Sequence, residues 1–131
     1  MGEASAGADS GAEPVVVVLA DLFFASKVRA TAGPAGVRVV VRSRPAGLVE
    51  ILRAEGARLV VIDLELRSPD LLAVIREIRS QEDLAGVRLV GFASHMNRAA
   101  FEAAREAGVD RTVARSAFVR DLPALLASAA D

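Results

Sequence analysis

The sequence contains no cysteine, tryptophan or tyrosine, and its one histidine is His95. Without cysteine there can be no disulfide, thiolate zinc site or cysteine nucleophile. A single histidine rules out a multi-histidine metal centre. The only aromatic residues are five phenylalanines, which make no platform for stacking bases. An excess of one charge is missing too. The 16 basic and 17 acidic residues leave a net charge of −1, so no nucleic-acid partner is expected. Long hydrophobic runs are also absent. The longest clean apolar stretch is Val15 to Ala20, far below the ~20 residues a membrane helix needs. Met1 to Glu13 has neither the basic start nor the apolar centre of a signal peptide. A cytoplasmic protein with no membrane partner is expected.

What is present is a single domain's worth of chain. Of 131 residues, 53% are hydrophobic, enough to fill one core. Met1 to Glu13 is rich in Gly, Ala and Ser without periodicity and reads as a disordered tail; the domain runs from Pro14 to Asp131. Within it, short β-branched runs (Val15–Leu19, Val37–Val41, Leu59–Ile62, Val87–Phe92, Thr112–Ala114) alternate with segments of helical spacing. Leu71, Val74, Ile75 and Ile78 form one apolar stripe, and Leu48, Ile51 and Leu52 another. Ala99, Ala100, Ala103, Ala104 and Ala107 form a small-residue stripe, and Leu122, Leu125, Leu126 and Ala129 close the chain. Ser68-Pro69 predicts a helix start and Asp121 a cap for the last helix; Gly33-Pro34, Gly56 and Gly108 predict helix ends.

Five β-α units in a row predict an α/β protein: a doubly wound, five-stranded parallel sheet with helices on both faces, three layers in all. The first and third runs are apolar throughout, as interior strands should be. Arg38 and Arg42 mark the second as an edge, and the short, polar fifth suits the other edge. That pattern fits the strand order 2-1-3-4-5, whose ligand crevice lies between the ends of strands 1 and 3. Asp21 follows the first of these strands and Asp63 the second, with Glu65 two residues on. Two carboxylates and a loop carbonyl are hard oxygen ligands suited to Mg²⁺, and an aspartate beside such a metal can accept a phosphoryl group. Equally, Asp at a strand end often serves only to turn the chain or cap a helix.

The segment Leu59-Val-Val-Ile-Asp63, with Asp70 seven residues on, resembles strand 3 of response-regulator receiver domains. Phe101-Glu-Ala-Ala-Arg-Glu-Ala-Gly108-Val-Asp110 resembles their fourth helix and the turn after it. The resemblance runs from Pro14 to the C-terminus. It implies a CheY-like, flavodoxin-type fold, a two-component or phosphorelay role, Asp63 as phosphoacceptor, and Mg²⁺ held by Asp21 and Asp63; Glu65, from its nearness alone, is the expected partial stand-in for a missing acid. It also implies where this chain departs from the family. One of the paired acids after strand 1 is Ala20. The hydroxyl position after strand 4 is Ala93, with Ser94 next. The lysine position is Arg115, 22 residues beyond Ala93; the aromatic switch position is Thr112, and the loop proline is Arg67.

From these departures the expected function is that of a stand-alone, atypical receiver-like module. It would signal through a protein partner or a second copy of itself, largely without phosphorylation, and would not be an enzyme. In this state Arg115 is expected to close the crevice by pairing with Asp63. The alternatives are a working response regulator phosphorylated on Asp63 by a histidine kinase, and a small enzyme or ligand-binding protein using the same crevice. Ser94-His95 is not expected to form a catalytic dyad, because neighbours on an extended chain point apart. Of Phe23 and Phe24, one is expected to face the core.

Overall fold

A computed structural model describes residues 13–130. The expected disordered tail lies outside the described residues, Glu13 apart. Strands β1 (Val15–Val18), β2 (Val39–Arg42), β3 (Leu59–Asp63), β4 (Arg88–Ala93) and β5 (Arg111–Ala114) alternate with helices α1 (Leu22–Ala32), α2 (Leu48–Glu55), α3 (Leu71–Ser80), α4 (Arg98–Ala107) and α5 (Arg115–Ala130). The strands are parallel and lie in the order β2-β1-β3-β4-β5. This is the doubly wound, flavodoxin-like fold expected from the sequence.

Alternation along the strands feeds two cores. Val16, Val18, Val60 and Ile62 pack under α2, α3 and α4, meeting Leu48, Leu52, Ile75 and Ile78. Val15, Val17, Val61 and Phe92 face α1 and α5, meeting Phe24, Val28, Phe118 and Leu122. Each fully buried Leu or Ile contributes about 2 kcal/mol. Both faces of β1 and β3 are covered, which explains why these strands are unbroken apolar runs.

Three local expectations are corrected. Ser68 does not cap α3: Pro69 and Asp70 form a further turn, and the helix starts at Leu71 after Asp70. Asp121 caps nothing. Helix α5 starts directly at Arg115 and runs through Pro123, because Phe118, Leu122 and Leu126 bury one continuous face; Asp121 pairs instead with Arg120 at 3.1 Å. The alanine stripe of α4 is narrower than its spacing suggests, since Ala104 and Ala107 are buried but Ala99 is exposed.

Gly91 in β4 has a packing role. A Cβ there would lie 2.7 Å from the Leu64 side chain, so glycine lets Leu64 lean across the strand. Leu64 is the residue between Asp63 and Glu65, and this contact sets where the β3–α3 loop leaves the sheet.

Candidate functional site

Asp63 ends β3 and is only 8% exposed, the one buried charged residue among those described. Its Oδ1 accepts a hydrogen bond from the Glu65 amide at 2.9 Å and lies 3.5 Å from Arg115 Nη2. Burial pushes its carboxyl pKa up, against the opposing pull of the Glu65 amide and the Arg115 charge.

Glu65 sits in the opposite electrostatic situation. Its Oε1 accepts from the Ser94 amide at 3.1 Å and from Arg115 Nη2 at 3.4 Å, and its Oε2 accepts from Asn97 Nδ2 at 2.9 Å. These donors, the Asn97 amide foremost, hold its carboxyl below the usual range. Asn97 also caps α4, accepting the Ala100 amide through Oδ1 at 3.1 Å.

Arg115 lies over an aromatic floor. Its guanidinium carbon is 5.0 Å from the Phe92 ring centre and 5.5 Å from that of Phe24. Phe92 stacks on Phe118 at 4.6 Å, and Phe24 meets both rings edge-on. A cation over such faces is attracted by the ring quadrupoles and held in place. Phe24 therefore faces the core, as one of the adjacent pair was expected to, while Phe23 is 91% exposed.

Asp21 is exposed and caps α1, accepting the Phe24 amide at 3.1 Å. Asp21 and Asp63 line one cleft of about 700 Å³, together with Arg44, Glu65 and Asp70. Ala93 is fully buried at the end of β4 and presents no hydroxyl. The Ser94 hydroxyl accepts the Met96 amide at 3.2 Å and shapes the next turn; His95 is exposed there. Thr112 in β5 is half-buried, and Arg67 lies in the cleft wall.

Asp21, Asp63 and Glu65 do not form a three-carboxylate cluster, and among the described residues no three His, Cys, Asp or Glu do. Glu65 is already committed to three donors. What fits a divalent cation is the pair Asp21 and Asp63, two hard oxygen ligands on one cleft, with the Arg115 charge beside one of them.

Sequence reasoning missed three parts of this site: Asn97, the Ser94 amide as opposed to its hydroxyl, and the ring floor under Arg115. Asn97 carried a readable signal, an N-cap residue directly before a helical segment. The rings of Phe24, Phe92 and Phe118 meet only in the folded chain.

No protein-family model and no curated protein matches the chain. Solved structures do. The receiver domain of the sensor histidine kinase PA1611 from Pseudomonas aeruginosa, with magnesium coordinated in its active-site cleft, superposes with a TM-score of 0.74 at 19% identity, over 88% of this chain and 94% of that one. The receiver domain of NtrX from Brucella abortus gives 0.71 at 19%, over 88% and 96%. HP1043, an orphan response regulator of H. pylori, gives 0.68 at 14%, over 88% and 92%. The fold is therefore that of the response-regulator receiver domain, CheY-like in strand order. No helix among the described residues is long and apolar enough to cross a membrane.

Proposed function

We propose that this chain is a divergent receiver-type signalling module, acting in the cytoplasm through contact with a protein partner and largely without phosphorylation of Asp63. One observation carries this reading: the Arg115 guanidinium bridges Asp63 and Glu65 over an aromatic floor, while Ala93 offers no hydroxyl beside them. Phosphoryl transfer depends on positioned charge around the acceptor and the moving group. Here the cation beside the acceptor is a planar fork already shared by two carboxylates, so less of its charge is free for an incoming group.

Mg²⁺ would be held by Asp21 and Asp63, where it would offset the carboxylate charge of the cleft. With only two protein carboxylates and a guanidinium 3.5 Å from one of them, binding should be weak. The partner is another signalling protein or a second copy of this chain, and no catalysis is assigned to the domain itself.

A second reading, a working response regulator that takes phosphate from a histidine kinase onto Asp63, is favoured by Asp21 and Asp63 sharing one cleft. Beryllofluoride with Mg²⁺, which imitates an acyl phosphate, separates the two. Amide NMR spectra of the wild type should be unchanged by it at Asp63, Leu64 and Ser94. Saturable shifts there, absent from Asp63→Asn, would support the second reading instead.

A further inference from the structure

Three donors from two separate loop regions converge on one side chain. The Ser94 amide and the Asn97 carboxamide come from the β4–α4 loop, and the Arg115 guanidinium from the β5–α5 junction. All three meet the carboxylate of Glu65, which comes from the β3–α3 loop. A backbone N–H, a side-chain amide and a guanidinium arranged around one point make an oxyanion seat. Its walls are fixed: Ala93 behind Ser94 is fully buried, Asn97 is tied to the start of α4, and Arg115 lies on the Phe92 and Phe24 rings.

We infer that Glu65 is a tethered internal anion filling a phosphate-type oxyanion seat built by the Ser94 amide, Asn97 and Arg115, and that the seat accepts a free oxyanion of that class once the Glu65 carboxylate is withdrawn. This rests on reading the crevice as receiver-type, but concerns a different question from whether Asp63 can be phosphorylated. The effective concentration of a tethered carboxylate far exceeds that of a dissolved ion, so the intact chain keeps its seat filled. The Ser94–Asn97 turn, with exposed His95 and Met96 at its tip, is then held at both ends by one carboxylate. The module would be locked in the arrangement that an external anion would otherwise have to impose.

The test is a titration of the whole chain with inorganic phosphate, with sodium chloride at matched ionic strength as control, followed by amide NMR at Ser94 and the Asn97 side chain. The wild type should show no saturable shift. Glu65→Ala should show one, with an apparent Kd at least tenfold tighter than any wild-type response, and Glu65→Ala/Arg115→Ala should lose it. If Glu65→Ala fails to fold, Glu65→Ser, which also empties the seat, takes its place with the same expectation. Equal responses in wild type and variant, shifts confined to the exposed Arg98, Arg105 and Arg111, or binding that survives loss of Arg115 would each overturn the inference. None of these readouts depends on Asp63 carrying a phosphoryl group, so failure here and failure of the proposed function are told apart.

Discussion

On the β1 side of the crevice, Asp21 is exposed, spends one oxygen on capping α1, and borders an open cleft of about 700 Å³. On the β3–β5 side, Asp63 is buried, Glu65 has three donors, and Arg115 sits between them on stacked rings. Both sides line that one cleft, but Asp21 meets it exposed, whereas the carboxylates of the other side already share the Arg115 charge. Both are made of the same kinds of group, carboxylates at strand ends. The difference comes from burial and from a cation held in place by aromatic faces. Topology brings acids to a crevice, but their neighbours decide whether those acids remain available.

The largest effect should come from removing the floor of the β3–β5 side. Phe118→Ala takes away a ring stacked on Phe92 and should cost about 3–5 kcal/mol in urea unfolding. Gly91→Ala should follow, at about 1–3 kcal/mol. Its new Cβ would meet Leu64 at 2.7 Å and push the loop that carries Glu65.

Glu65→Ala comes next, at about 1 kcal/mol at neutral pH, because three half-buried donors lose their acceptor and water can replace it only in part. The folded state holds the Glu65 carboxyl below its usual value, so its contribution is present above the unfolded pKa of about 4.3 and is lost as pH falls through the folded value. The gap between wild type and Glu65→Ala should therefore close on acidification.

Asp63→Asn should show the smallest effect and the opposite pH trend. The folded state pushes the Asp63 pKa up, so ionised Asp63 costs stability at neutral pH, and the cost is relieved as pH falls through the folded value towards the ordinary one. The variant should be more stable than wild type at pH 7 by less than about 1 kcal/mol, with the advantage shrinking towards pH 4. On the β1 side, Asp21→Asn should keep the α1 cap, since Asn caps as well as Asp, yet lose whatever weak Mg²⁺ binding the wild type shows by calorimetry. Unchanged Mg²⁺ binding in that variant would remove Asp21 from the cation site and blur the contrast between the two sides.

The fold was legible because its signals are local. The apolar runs of β1 and β3, Arg42 at the end of β2 and the glycine C-caps at Gly56 and Gly108 each act over a few residues. Ser68 and Asp121 misled because both residue types cap helices only where the chain breaks; at Asp121 the buried face of α5 carries the helix straight through. The crevice acids followed from topology alone. The partners of Glu65 did not, since they lie 29, 32 and 50 residues away in the chain. No spacing in the sequence says that Glu65 turns to Ser94 and Asn97 and away from a metal site with Asp21.

The most direct measurement of the central claim is intact mass after incubation with acetyl phosphate and Mg²⁺, beside Asp63→Asn and an ordinary receiver domain. The account predicts that the ordinary receiver gains one phosphoryl group while this chain stays at its unmodified mass, as Asp63→Asn does. A single phosphoryl adduct on this chain, absent from Asp63→Asn, would contradict it and make Asp63 a working acceptor despite its pairing with Arg115.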